Sequence, residues 1–400
     1  MQVDVVIIGG GMVGLLQALM LAQQHFRVAI IENKQPGMVK NGLDARVSAI
    51  NTGSQNILKN LGLWADLDEK TFCSLQRLLV WDGLGGAELE FNAADLAQKE
   101  LGCIIENREL IQKIWHALEK HSLAKLIIDT PTKLQIENNF IEITCDSGHT
   151  ITAALCIGAD GANSWLRKQA QIEYKEKFYE QNAIIAVVET AEKHQHTGWQ
   201  VFLTQGPLAL LPLADLNHCA IVWSTAIKHA EQLMAMSETE FNLEMNNVFG
   251  SRLGDIKLLS ERRSFPLISR HAKNYVLPRI ALIGDAAHSV HPLAGQGVNL
   301  GFYDAACLTD CIRQRSQYQD IGHLKILRRY ERWRKGANQE MILMLNGLHH
   351  LFANDSSLLV LARNEGFNLI ERSHFLKNSF MQIAMGERKD SPQLATLIPT

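Results

Sequence analysis

Gly9-Gly10-Gly11-Met12-Val13-Gly14 has the spacing G-x-G-x-x-G. In a dinucleotide site the first glycine permits a tight turn. The second lets backbone approach a pyrophosphate, and the third lets helix and strand pack closely. The helix opened by such a turn offers free N–H groups and about half a positive charge to phosphate. Alone the pattern is weak. Here it follows the β-branched run Val3–Ile8 and precedes Arg27–Glu32, which ends in an acid near the expected interval of about 20 residues. Glu32 at that place suits a free ribose hydroxyl, so the adenosine belongs to FAD or NAD. The bland alternative is a tight turn followed by a solvated glutamate.

A second constellation decides between those two. Ile280–Ile283 reads as a strand ending in Gly284-Asp285, and His291-Pro292-Leu293-Ala294-Gly295-Gln296-Gly297-Val298-Asn299-Leu300-Gly301 follows. A carboxylate at a strand end lies where open α/β sheets bind ligands, and it can accept from a ribityl hydroxyl. Open N–H groups before the helix near Gly297 can bind the negative edge of a reduced flavin. An NAD enzyme has no need of this second helix start, so the reading is FAD.

These residues need a βαβ unit to hold them. Val3–Ile8, the helix Met12–Gln24 and the strand Arg27–Glu32 supply one and set the class as α/β, with a Rossmann-like nucleotide domain. Ser54 reads as the cap of a helix closed by Gly62, and Asn107 as the cap of one over Arg108–Lys120. From about Tyr174 to Arg270 the runs Ala183–Glu189, Trp199–Leu203, Leu208–Leu213 and Cys219–Ser224 suggest a mainly antiparallel sheet inserted into that domain. The tail beyond Arg328 has apolar residues at helical spacing, among them Met341, Leu345, Leu348 and Leu351. The expected division is 1–75, 101–173 and 275–340 for the nucleotide, 76–100 and 174–274 for the substrate sheet, and 341–400 for a helical tail.

Composition narrows the classes further. The chain has 400 residues, is 46% hydrophobic and 20% charged, and carries a net charge of −3, which suits a globular protein and gives no reason to expect nucleic acid. No apolar stretch reaches the roughly 18–20 residues that span a bilayer. Seven scattered cysteines form no C-x-x-C pair, and no basic segment precedes the first apolar run. The expectation is reduced, buried thiols in a cytoplasmic protein. Cys307 and Cys311 lie one helical turn apart, but no further ligands stand at metal-site spacing, so no metal is expected.

The glycine turn, Gly158-Ala159-Asp160-Gly161-Ala162-Asn163-Ser164 and the segment from Gly284-Asp285 to Asn299 resemble the flavin monooxygenases related to p-hydroxybenzoate hydroxylase. The run His291–Gly301 is more specific, with Arg46-Val47-Ser48-Ala49-Ile50-Asn51, Val222-Trp223-Ser224 and Tyr330-Glu331-Arg332. It resembles the ubiquinone-biosynthesis hydroxylases of the UbiH/UbiF/VisC family, over essentially the whole chain. Gly161–Arg167 and Gly11–Leu15 look most like the VisC-type polyprenylphenol 5-hydroxylases.

The resemblance implies an enzyme in which NADH or NADPH reduces FAD, O2 adds at flavin C4a, and one oxygen passes to a ring carbon of a polyprenylated phenol. It places Gly9, Gly11, Met12, Val13, Gly14 and Glu32 on the adenosine side and Arg46 near flavin and pyrophosphate. Asp160 would brace the FAD domain and Asp285 would hold the ribityl chain. The Pro292 carbonyl would lie near the oxygen-reacting carbon, and Gly295, Gly297, Val298 and Asn299 would line the ring. Asn107 lies where it can reach FAD.

Structural alternatives stand beside these roles: a surface ion pair for Arg46, turn stabilisation for Asp160, and helix capping for Asn107. His288 and His291 are titratable neighbours of the flavin loop, but ordinary hydrogen-bonded loop residues also fit, and no base is assigned. A polyprenyl tail lies in a bilayer, which implies membrane-surface association through the apolar C-terminal helices, and a multi-enzyme complex is a further partner. Two other functions fit the same motifs: a prenyl-lipid reductase or dehydrogenase without oxygen insertion, and a flavin-bound scaffold subunit without turnover.

Overall fold

Val5–Ile8 is wholly buried, as an unbroken Val/Ile run demands of a central parallel strand. In the computed structural model, residues 1–37, 44–84, 86–290, 295–352, 356–386 and 390–397 are described. The first sheet runs Val276–Leu277, Ile280–Leu282, Leu155–Gly158, Val5–Ile8, Val28–Glu32, Ala124–Ile128. Its pairings are parallel except at the Val276–Leu277 edge. The crossover helix Met12–Gln23 packs against a second long helix, Gly297–Arg313. A small antiparallel sheet, Val47–Asn51 with Gly102–Glu106 and Phe72–Leu75, flanks them.

The second large sheet has nine strands. Tyr174–Thr190 is its longest, pairing with His218–Ala226 on one side and Arg263–Ala272 on the other. The sheet continues through Gly206–Pro212 and Thr197–Leu203 to Arg77–Asp82 and Glu88–Asn92. The seam between Thr197–Leu203 and Arg77–Asp82 is parallel, which is open to them because those strands come from distant parts of the chain and are not joined by a hairpin. One face is dry: Ile184, Leu208, Leu210 and Trp223 pack under Phe241 and Met245 of the helix Glu238–Phe249. On the other face Ala209, Leu211 and Val222 are only half-buried.

Two expected caps differ. The helix near Ser54 starts earlier, at Thr52, because Asn51 is the cap and its side chain accepts from Ser54 N–H at 2.9 Å. The helix Asn107–Glu119 includes Asn107 as its first residue, with Glu106 at the cap position. The Asn107 side chain turns instead to Ser48, whose hydroxyl donates to Asn107 Oδ1 at 2.6 Å.

Three helices end the chain: Leu324–Phe352, Ser357–Arg372 and His374–Ala384. Met341, Leu345 and Phe352 pack on Val80, Leu89 and Phe202 of the large sheet. Phe202 and Phe352 stack with ring centroids 3.9 Å apart. The buried Arg363 donates from Nε to Asp82 Oδ2 at 3.1 Å and ties this helical layer to the sheet. All seven cysteines are free and buried, and burial pushes the Cys311 thiol up to about 11. Among the described residues no helix is long and apolar enough to cross a membrane.

Candidate active site

Two helix N-termini meet beside the carboxyl ends of the first sheet. Gly11 precedes Met12–Gln23 and Gln296 precedes Gly297–Arg313; neither helix has a side-chain cap or an acid in its first turn. Both ends therefore present uncompensated N–H groups, which suit an anionic ligand. Val13 joins them. A Cβ added at Gly301 would lie 2.6 Å from Val13 Cγ2, and one at Gly284 would lie 3.3 Å from Val13 Cγ1. The two starts are thus packed side by side, close enough for one nucleotide to bridge them.

The glycines divide by task. A Cβ at Gly14 would stand 2.0 Å from Gly9 O, and one at Gly9 would stand 2.5 Å from Ala159 O, so these two are required by packing. A Cβ at Gly11 would meet nothing within 4 Å, and one at Gly297 only Val290 Cγ2 at 4.0 Å. The space above those two positions is a cradle that a side chain would fill, and backbone bare of side chains suits close approach of a nucleotide. Met12 and Val298, next to them, are half-buried. Glu32 reaches the same turn: Gly10 N–H donates to its Oε2 at 2.5 Å, and Lys34 N–H to its Oε1 at 3.2 Å.

Asp285 lies in the turn Gly284–Ala286 between the two helix starts. Its side chain is reached by solvent, yet protein surrounds it so closely that desolvation raises its carboxyl pKa, against the pull of His288 and Arg270. Both facts fit a side chain in a recess that is open to solvent, the cleft between the two helix starts. Among the described residues Asp285 has no side-chain hydrogen-bond partner, so its acceptors stand open toward that cleft. Arg46 is exposed and forms no ion pair among the described residues; its backbone N–H bonds Asp44 and its carbonyl accepts from Asn107 N–H.

The Asp160 side chain accepts from Leu166 N–H at 3.0 Å while its backbone lies against Gly9, and burial raises its pKa. Arg167, which sequence reasoning noted only within a motif, is buried and clips this loop to the other half of the site. It donates to Ala286 O at 2.8 Å and Ala162 O at 2.6 Å. Asn299 is equally buried: Asn51 N–H donates to its Oδ1 at 3.1 Å and its Nδ2 donates to Ala49 O at 2.8 Å. Gly295, with φ +59, lies under Ala49, where a Cβ would come within 3.0 Å.

His288 does not face the cleft as a base would. It is buried and bonds Asp304 Oδ2 through Nε2 at 2.5 Å. Asp304 also holds Arg334, and although burial pushes its carboxyl up, His288 and Arg334 outweigh that and hold it down to about 2. Asp304 and Arg334 were missed in the sequence. The available signal was an acid two turns into the helix, Asp304, on the face that carries Gly297 and Gly301. Of the residues quoted from the motif Tyr330-Glu331-Arg332, Tyr330 donates to Leu282 O in the strand that leads into Gly284, and Glu331 accepts from Tyr275 N–H next to the neighbouring edge strand. Pro292 and His291 lie outside the described residues.

The fit is to FAD, and a family model described as FAD binding domain matches residues 2–342. The chain belongs to this family. It is 36% identical to the 3-demethoxyubiquinol 3-hydroxylase of Escherichia coli (strain K12), over 96% of this chain and 98% of that protein. It is 35% identical to the ubiquinone hydroxylase UbiL of Rhodospirillum rubrum, over 98% and 91%. The p-nitrophenol 4-monooxygenase PnpA of Pseudomonas putida DLL-E4 shares the fold, with a TM-score of 0.77 at 17% identity, covering 97% of this chain and 99% of that one. The family member described here is thus an FAD-dependent hydroxylase related to the ubiquinone-biosynthesis enzymes, with NAD(P)H as the family's usual electron donor.

Proposed function

We propose that this enzyme hydroxylates the ring of a polyprenylated phenol on the route to ubiquinone, using NADH or NADPH and O2. One observation carries the substrate reading. Ala49 lies against Gly295 of the flavin loop and also packs with Val187, Leu211, Leu213 and Ala220 of the large sheet. The half-buried apolar face bearing Ala209, Leu211 and Val222 therefore adjoins the flavin loop, where an apolar ring can lie with water excluded.

When bound, FAD supplies the electron transfer and oxygen activation. The chain's residues bind and orient it. N–H groups at Gly11–Val13 and the Arg46 guanidinium would meet the pyrophosphate, Glu32 the ribose, and Asp285 the ribityl hydroxyls. N–H groups at Gly297–Asn299 would meet the ring edge, and Asn299 and Asn107 hold the strand Val47–Asn51 next to that helix start.

The likeness to VisC-type enzymes favours ring carbon 5. A second reading, the demethoxyubiquinol position, is favoured by the 36% identity to a 3-demethoxyubiquinol 3-hydroxylase. Deleting the gene and identifying the accumulated quinone precursor separates them. With isotopically labelled O2 the product ring is expected to carry one labelled oxygen. Turnover of the prenylated substrate without label would favour a reductase, and NAD(P)H oxidation that no phenol stimulates would favour a scaffold.

The tail of such a substrate brings the enzyme to a membrane surface, and the C-terminal helices are the proposed contact. Leu361 and Leu369, two turns apart on one face, are 60% and 62% exposed, and Phe375 is 80% exposed. Large apolar side chains grouped in this way suit an acyl boundary. Purified protein is expected to sediment with lipid vesicles, and Phe375→Glu to reduce that fraction. Failure to bind vesicles of any lipid composition would count against the contact, and against membership of a membrane-bound complex made through it.

A further inference from the structure

Asp304 sits in the helix Gly297–Arg313 with no solvent exposure. Both its oxygens are engaged. Oδ2 accepts from Gly284 N–H at 3.0 Å and bonds His288 Nε2 at 2.5 Å. Oδ1 accepts from Arg334 Nε at 2.7 Å and Asn338 Nδ2 at 3.2 Å. Gly284 has φ +58, a conformation that side chains of ordinary residues rarely adopt, and it immediately precedes Asp285. The backbone turn that aims Asp285 into the cleft is therefore held from behind by a buried ionic cluster.

Stability alone is a poor account of that cluster. Buried ion pairs are often neutral against well-packed apolar replacements, because the desolvation cost offsets the attraction. A carboxylate does offer what no apolar group can: several acceptor sites in fixed directions, one of them for Gly284 N–H. We propose that Asp304 is a positioning residue for FAD, acting through the Gly284 turn to set the direction of Asp285. This rests on the reading of Asp285 as the ribityl ligand. Asp304 and Asp285 then form one unit, whose members lose their effect together.

The test is a double-mutant cycle read in FAD affinity, measured by flavin fluorescence as holoenzyme is diluted, with visible circular dichroism of the bound flavin as a second readout. Asp304→Asn and Asp285→Ala are each expected to raise the FAD dissociation constant at least about tenfold, and the double variant to bind within about twofold of Asp285→Ala alone. Asp304→Asn is also expected to change the circular dichroism of the bound flavin. A merely structural role for Asp304 predicts losses that multiply, and that result overturns the proposal, as does native affinity in Asp304→Asn. Native affinity in Asp285→Ala would bring down the ribityl reading and this proposal together, whereas the other two failures leave that reading standing. If Asp304→Asn does not fold, Gly284→Ala strains the same turn, since its Cβ meets Val13 at 3.3 Å. In that cycle its loss is likewise expected to vanish beside Asp285→Ala, and a multiplied loss or native affinity overturns the proposal.

Discussion

Asp285→Ala is expected to weaken FAD binding about 10- to 150-fold, the range for a hydrogen bond to a charged group worth ~1.5–3 kcal/mol. The carboxylate faces the cleft with no hydrogen-bond partner among the described residues, so its removal leaves none of their polar groups unsatisfied. A protein that still folds but purifies colourless is the expected outcome. Fully yellow, flavin-saturated variant protein would refute the role.

The same residue predicts a pH dependence. Burial raises the Asp285 carboxyl pKa in the cofactor-free protein, so its ionised form is a cost to folding above that raised pKa, relieved as pH falls toward the ordinary carboxylate value. Hydroxyl donors from FAD favour the charged form and lower the pKa again. FAD affinity should then be full above the raised pKa and lost as pH falls through it. In Asp285→Asn this slope should disappear, and FAD titrations across that pH range check it.

Gly11→Val should separate binding from folding more sharply. Its φ is −73° and a Cβ there meets nothing within 4 Å, so the cofactor-free protein should melt within a few degrees of the native one. FAD affinity should fall at least about 100-fold, because a branched side chain would occupy the space where backbone must approach pyrophosphate. Gly14→Ala should do the reverse. Its Cβ would lie 2.0 Å from Gly9 O, and overpacking of this kind costs about 1–3 kcal/mol or more of stability. Thermal unfolding and FAD titration of both variants check the contrast. Unchanged FAD affinity in Gly11→Val would remove the argument from the second glycine.

Local chemistry was enough for part of this. G-x-G-x-x-G between a β-branched run and a helix, then Glu32, specifies a βαβ nucleotide unit because each feature acts within a few residues of itself. Gly284-Asp285 after a strand likewise marked a turn at the sheet's carboxyl end, where the structure has it. Caps were less legible. Asn51 and Ser54 are both good capping residues, and only the chain's entry from strand Val47–Asn51 selects Asn51. What tertiary structure alone decided was what each polar residue faces. Asp285 and Asp304 are both acids beside one turn, yet one opens on the cleft and the other is enclosed by His288, Arg334 and Asn338, residues 16, 30 and 34 positions away. Nothing local distinguishes them, because burial and pairing are set by segments that meet only on folding. For the same reason Gly11 and Gly14 are identical letters in one motif, but the first leaves room for a ligand and the second for a neighbouring carbonyl.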